Sequence, residues 1–126
     1  MEIEVRADVW PSEDREKVMV SVKNIFPNID FDASESGVQG ESTSMTSLDE
    51  FRNLLGLQAI RNSARRELKK GRSSNCIEFS LNKQAAMVKK VSFSDGNTPL
   101  GSIDVRVDTD RPDDLIDYLA PHQEGE

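Results

Sequence analysis

The sequence predicts an α+β fold, in which one antiparallel or mixed sheet carries its helices on one face. Some segments alternate strictly between apolar and polar residues, as strands with one solvated face do. Other segments repeat their apolar residues at helical spacing. In chain order these segments read β-α-β-α-β-β-β-α over 126 residues. A chain of this length fits one domain, which we predict at 1–121, followed by a polar tail at 122–126.

The N-terminal part of the chain predicts a strand and a helix. Residues 3–9 alternate between apolar and charged side chains, and Pro11 ends that strand. Ser12 is a suitable N-cap for the helix that follows, and Pro27 ends the helix. The apolar stripe of this helix consists of Val18, Met19, Val22, Ile25 and Phe26.

A long polar stretch separates the second strand from the next helical segment. Residues 29–33 alternate and predict the strand. Residues 34–46 are rich in Ser and Gly, which predicts a loop with at most a short edge strand around Val38. Ser47 and Glu50 then have the spacing of a capping box, which predicts that a helix begins there.

This second helical segment has a long apolar stripe. Gly56 is expected to divide it into a short helix and a longer one. Gly71 lies where a C-terminal cap is expected. The members of the stripe are Leu48, Phe51, Leu54, Leu55, Leu57, Ile60, Ala64 and Leu68.

The rest of the chain predicts three strands and a helix. Residues 77–81 alternate, and a turn then leads to a strand that ends at 91–93. Residues 95–101 are dense in turn-forming residues, so the chain is expected to reverse there. Residues 103–107 give the last strand, and residues 111–120 give a short final helix.

Hydropathy and cysteine content indicate a cytoplasmic protein without a membrane segment. No apolar run approaches the ~20 residues that cross a bilayer. The alternating N-terminus lacks the continuous apolar stretch of a secretory signal. Cys76 is the single cysteine, so no internal disulfide can form, which suits a reducing compartment.

Charge is strongly segregated along the chain, whose formal net charge is -7. Residues 1–60 hold 5 Lys and Arg against 12 Asp and Glu, and residues 94–126 hold 2 against 9. Residues 61–93 hold 9 against 2. The middle of the chain is therefore basic and both flanks are acidic.

Most of the basic residues fall into two rows of one predicted helix. The first row has helical spacing and consists of Arg61, Arg65, Lys69 and Arg72. The second row lies beside it and consists of Arg66 and Lys70. Such a ridge suits a phosphate backbone, because Lys and Arg displace condensed counterions, and acidic flanks would orient the encounter. The alternatives are an ordinary solvated helix face, or neutralisation by the acidic flanks within the molecule or across a dimer.

The segment after this helix adds three lysines, Lys83, Lys89 and Lys90. Asn82, Lys83 and Gln84 offer donors and acceptors for a phosphate, a sugar hydroxyl or a base edge. In the structural alternative, Asn82 supports a turn, and Ala85 and Ala86 pack beneath a helix.

Four stretches carry a family resemblance: "PSEDREKVMVSVKNIFP", "NKQAA", "PLGSIDV" and "LIDYLAP". In these motifs the chain resembles the archaeal uncharacterised protein family 0201, from Val5 to Pro121. The resemblance implies an α+β fold similar to that of the large-subunit ribosomal protein that holds 5S RNA, and it implies RNA binding. The chain departs from the family pattern at Met87, where the family has an aromatic residue, and at Lys89, where the family often has Gly.

Catalytic and metal-binding chemistry is not indicated. His122 is the single histidine and lies in the tail, and Cys76 has no neighbouring base in the sequence. No set of Cys and His residues has zinc-binding spacing, and the acidic residues at 108–114 do not fit the calcium-loop pattern. We therefore expect no catalytic residue, metal, cofactor or small-molecule substrate.

The sequence thus predicts a non-catalytic RNA-binding protein, with an enzyme as the least favoured class. The alternative is a protein-interaction or homodimer assembly module, whose basic ridge docks on an acidic surface. The residues predicted to contact RNA are Arg61, Arg65, Arg66, Lys69, Lys70, Arg72, Lys83, Gln84, Lys89 and Lys90.

Overall fold

A computed structural model of the chain describes residues 1–94 and 101–124. Within these residues one antiparallel sheet has six strands in the order β2-β3-β1-β6-β4-β5. The strands are β1 (Glu2–Asp8), β2 (Phe31–Ala33), β3 (Gly37–Ser42), β4 (Cys76–Leu81), β5 (Phe93–Ser94) and β6 (Ile103–Asp108). The helices are α1 (Arg15–Ile25), α2 (Asp49–Leu57), α3 (Arg61–Lys70), α4 (Lys83–Met87) and α5 (Pro112–Leu119), with a 3-10 helix (Met45–Leu48) before α2. The predicted α+β class is confirmed.

The core lies between the apolar face of the sheet and the helices. The alternation predicted for the strands is confirmed in β1, β4 and β6, whose buried residues include Val5, Ile77 and Val105. Phe51 of α2 stacks on Phe79 of β4, with ring centroids 5.2 Å apart. Apolar burial of this kind stabilises by about 25 cal/mol per Å², so these contacts hold the helices on the sheet. In the described part of the chain, no helix has both the length and the apolar character to cross a membrane.

The segment 34–46, predicted as a loop with at most an edge strand, contains the interior strand β3. This strand pairs with β1 on one side and β2 on the other. Gly40 has to be small, because a Cβ there would lie 2.6 Å from Cγ2 of Ile29 and 2.8 Å from the carbonyl oxygen of Asp30. The small residues that resemble a loop in the sequence therefore allow close packing.

Both predicted helix starts are corrected by the structure. Asp14, not Ser12, caps α1, and its Oδ1 accepts a hydrogen bond from the backbone N of Glu16 at 2.9 Å. Ser47 does not form a capping box, because it lies inside the 3-10 helix, where it is buried and its hydroxyl bonds that of Ser42. The chain enters α2 directly from this 3-10 helix. A helical turn therefore precedes the first N–H groups of α2, and a side-chain cap at this end is not required.

The division of the second helical segment occurs just after the position predicted from Gly56. α2 ends at Leu57 and α3 begins at Arg61, and Ala59 between them has a φ of +56°. The predicted stripe is buried or half-buried except at Leu57, which is 74% exposed. Its burial was wrongly predicted, because α2 ends at this residue and the break interrupts the periodicity of the stripe there.

The region between β4 and β5 is more helical than predicted. Instead of a turn and a strand ending at 91–93, the chain forms α4 and then the two-residue strand β5. Asn82 caps α4 by accepting a hydrogen bond from the backbone N of Ala85 at 2.9 Å, and Ala86 is buried. Asn82 thus has a structural role, as the cap of a helix rather than as support for a turn, and Ala85, half-buried, lies with Ala86 inside that helix. The predicted turn at 95–101 lies, apart from its last residue, outside the described residues.

Candidate nucleic-acid interface

Two arginines of the first basic row meet carboxylates of α5. Arg65 Nη1 lies 2.7 Å from Oδ1 of Asp117 and donates to the backbone oxygen of Ala120 at 3.3 Å. Just beyond α3, Arg72 pairs with Asp113, which lies in the first turn of α5. The acidic C-terminal flank therefore neutralises part of the predicted ridge within the molecule, one of the alternatives open from the sequence.

The outer side of α3 presents charge to solvent. Arg66, Lys69 and Lys70 are exposed. Lys70 pairs with Glu67 one turn earlier at 3.1 Å, and its side chain stays 72% exposed. Pairs of this exposed type contribute about 0–1 kcal/mol, so they hold a lysine only weakly. These three cations are available to an external anion.

Arg61 opens α3 on its inner side and is half-buried. Its guanidinium lies against Gly56, where an added Cβ would collide with it. Of the predicted first row, Arg61, Arg65 and Arg72 are thus packed or paired, and Lys69 projects outwards.

Lys83 lies in the interior rather than on the predicted positive surface. Its side chain is 5% exposed, and Nζ donates to the backbone oxygen of Asp8 and pairs with Oε1 of Glu13 at 3.1 Å. Glu13 also accepts a hydrogen bond from the backbone N of Trp10 at 2.9 Å. Lys83 therefore joins the end of β1, the start of α1 and α4, and no phosphate reaches it in this conformation.

Lys89 and Lys90 lie in the turn after α4, and both are exposed, as is Gln84 on α4. Two residues that the sequence did not single out hold this turn in place. Gln58 donates to the backbone oxygen of Val91 at 3.0 Å and accepts from its backbone N at 2.7 Å. Asn24 of α1 donates from Nδ2 to the backbone oxygens of Ala86 and Met87 at 2.9 and 3.2 Å. The turn is thus tied both to the α2–α3 junction and to α1.

The sheet face opposite the helices is acidic. Arg106 on this face bonds Glu78 and Asp108, and the carboxylate of Asp108 in particular raises the pKa of Arg106 above its ordinary value. The charged residues whose strand positions point to this face are Glu2, Glu4, Arg6, Asp8, Asp32, Glu41, Glu78, Asp104, Arg106 and Asp108. An acidic sheet face repels a polyanion, so it is a poor platform for RNA.

Cys76 and the acidic residues show no reactive arrangement. The Cys76 thiol is buried, and its sulfur lies 3.0 Å from the hydroxyl oxygen of Ser73. Among residues 1–94 and 101–124, no group of three or more His, Cys, Asp or Glu side chains is arranged to hold a metal ion.

Comparison with known proteins gives consistent matches. A family model described as RNA binding matches residues 2–109. The chain is 39% identical over 123 residues to a UPF0201 protein of Sulfurisphaera tokodaii, covering 93% of this chain and 85% of that relative. The chain belongs to the UPF0201 family. It is also 40% identical over 124 residues to a UPF0200/UPF0201 protein of Archaeoglobus fulgidus, covering 96% of this chain but only 38% of the length of that relative.

A solved UPF0201 structure has the same fold. The crystal structure of the UPF0201 protein from Methanococcus jannaschii superposes with a TM-score of 0.86 at 33% identity, covering 99% of this chain and 96% of that one. The predicted family is thereby confirmed.

One UPF0201 motif of the sequence has a structural explanation. In "NKQAA", Asn82 caps α4, Lys83 forms the buried ion pair with Glu13, and Ala86 packs in the core. Val88, two residues after the end of this motif, is exposed, and the next residue, Lys89, has a φ of +59°. Glycine adopts that conformation without a Cβ penalty, so a Gly would be unstrained at this position.

Proposed function

We propose that this protein binds RNA and does so without catalysing a reaction. The match of residues 2–109 to a family model described as RNA binding carries the proposal. We assign the main phosphate contacts to cations that are exposed: Arg66, Lys69, Lys70, Lys89 and Lys90. Gln84 is exposed on α4. Arg61 and Arg65 are half-buried, Arg72 pairs with Asp113, and Lys83 supports the fold.

Two electrostatic features support this assignment. Exposed Lys and Arg side chains release counterions when they meet phosphates, so several of them give strong, salt-sensitive binding. The opposite sheet face carries mainly carboxylates, such as Glu4 and Glu41, and would repel RNA approaching from that side. RNA would then contact these exposed cations rather than the carboxylates of the sheet face, despite the protein's net charge of -7.

Charge reversal on α3 tests the proposal. Arg66→Glu combined with Lys69→Glu should weaken RNA binding and reduce the slope of log K against log salt by roughly 1.4 to 1.8, the loss expected for two phosphate contacts. The measurement is fluorescence anisotropy of labelled single-stranded and hairpin RNAs between low and moderate salt.

The matched control is Arg6→Glu combined with Arg15→Glu, which makes the same charge change on exposed residues of β1 and α1. It should weaken binding much less. Absence of binding by the unmodified protein at low salt would refute the proposal, and so would an equal loss in both double variants.

The assembly-module alternative uses the same cations and predicts a different outcome. Binding to a protein would survive nuclease treatment, and self-association would appear in light scattering. The pairing of Arg65 and Arg72 with α5 removes two cations from either kind of surface, so these measurements distinguish the two alternatives.

A further inference from the structure

The turn after α4 combines exposed apolar side chains with exposed cations. Leu57 and Val88 are 74% and 68% exposed, the highest values among the large hydrophobic residues that the structure describes. Leu57 directly precedes Gln58, and Val88 lies three residues before Val91, the two residues joined by a pair of hydrogen bonds. The two hydrogen bonds between Gln58 and Val91 place the end of α2 beside the end of this turn, so Leu57 and Val88 lie on neighbouring segments of the chain. Exposed apolar residues on neighbouring segments indicate an interaction surface.

Two cations follow one of these apolar residues directly in the chain. Lys89 and Lys90 follow Val88 in the chain and are exposed. Neither lysine forms an ion pair with a carboxylate in residues 1–94 and 101–124. Their charge is therefore directed to solvent, unlike that of Arg65 and Arg72, which pair with carboxylates of α5.

The turn is built in advance of any ligand. Gln58 makes two hydrogen bonds to the backbone of Val91 at the far end of the turn, and Asn24 makes two to the last residues of α4, just before the turn. Lys89 is held with a φ of +59°, a conformation that a non-glycine residue keeps only when its surroundings impose it. A preorganised contact loses little conformational entropy when a partner binds.

We propose that this turn binds an unpaired nucleotide of the RNA, with the base against Leu57 and Val88 and the flanking phosphates on Lys89 and Lys90. The occupant has to offer an apolar face and negative charge side by side. An unpaired nucleotide offers both, since its base face is free and its phosphates are adjacent. A duplex stacks its bases inside and offers this turn only phosphates and sugars. This inference rests on the proposed RNA binding and specifies the kind of RNA.

The test compares a labelled single-stranded 12-mer with its duplex at matched salt, using fluorescence anisotropy. The unmodified protein should bind the single strand more tightly. Leu57→Ser and Val88→Ser should each weaken single-strand binding by about threefold or more, as loss of a partly buried apolar contact does, and leave duplex binding within about twofold. Met45→Ser is the matched control, because Met45 is an exposed apolar residue in the 3-10 helix.

The outcomes separate this inference from the proposed function. If the unmodified protein binds neither RNA, the proposed function fails and this inference fails with it. If it binds both RNAs, and Leu57→Ser and Val88→Ser behave as Met45→Ser does, only this inference is overturned. Capture of an acidic protein that survives nuclease and is lost in Val88→Ser would also overturn it. Thermal unfolding of each variant verifies that the exposed substitutions leave the fold intact.

Discussion

At the scale of single residues, Lys89 combines a left-handed backbone conformation with an exposed charge, and the effects of the two on stability and on the proposed RNA binding can be measured separately. Its φ of +59° is costly for a residue with a Cβ and free of that cost for glycine. Lys89→Gly should therefore raise the free energy of unfolding by about 0.5–1 kcal/mol, after the greater flexibility of glycine in the unfolded chain is subtracted. Urea denaturation followed by circular dichroism measures the change.

Lys90→Gly is the matched control for this substitution. Lys90 is not among the residues with a positive φ in the described part of the chain. The free energy of unfolding of the Lys90→Gly variant should therefore fall by about 0.5 kcal/mol, through backbone entropy alone. If both glycine variants are destabilised to the same extent, the left-handed conformation at Lys89 is not a source of strain. Both variants should also weaken RNA binding, because each removes an exposed cation.

At the scale of elements, the strand pairing of the sheet brings carboxylates together. Glu4 of β1 lies directly opposite Glu41 of β3, and Glu2 lies opposite Asp108 of β6. Like charges in such cross-strand positions destabilise a sheet, and opposite charges contribute about 0.2–1 kcal/mol. The acidic face is thus maintained at some cost to the stability of the sheet.

Glu41→Lys should relieve this repulsion. The substitution places a cation opposite Glu4, so we expect the free energy of unfolding to rise by about 0.5 kcal/mol at low salt and the gain to shrink as salt screens the pair. Glu35→Lys makes the same charge change at an exposed position between β2 and β3. A gain of equal size in that control would attribute the effect to net charge and contradict the pairwise explanation. Chemical denaturation at two salt concentrations distinguishes these outcomes.

The elements that the sequence predicts well are those whose pattern is set by burial on one face. The alternation of β1, β4 and β6 and the stripes of α1 and α5 agree with the structure because each element is long enough to show its period. β3 was missed as an interior strand because Gly40 is selected by close packing, which the sequence displays only as a small residue. α4 has five residues, too few to show helical periodicity, and the Asn82 cap was its best local signal.

The sequence predicts which cations belong to the candidate site, but not which carboxylates they pair with. The sequence identifies the cations of α3, since their spacing is local. It does not show that Arg65 meets Asp117 or that Lys83 meets Glu13, because tertiary packing brings these residues together. The roles of Gln58 and Asn24 were missed for the same reason: each bonds backbone groups far away in the sequence.

At the scale of the whole molecule, the acidic C-terminal helix restrains the charge of the basic ridge. Asp113→Asn combined with Asp117→Asn should release Arg72 and Arg65 from their pairs. RNA affinity should then rise by roughly threefold or more at low salt, with a steeper salt dependence, because additional cations become available to phosphates.

Asp30→Asn combined with Asp32→Asn removes the same charge from exposed residues around β2. Salt-dependent anisotropy titrations of both variants then decide between two electrostatic explanations. If the intramolecular pairs mask the ridge, the Asp113 and Asp117 variant alone gains affinity and slope. If only net charge matters, the two variants gain equally, and α5 has no specific role in RNA binding.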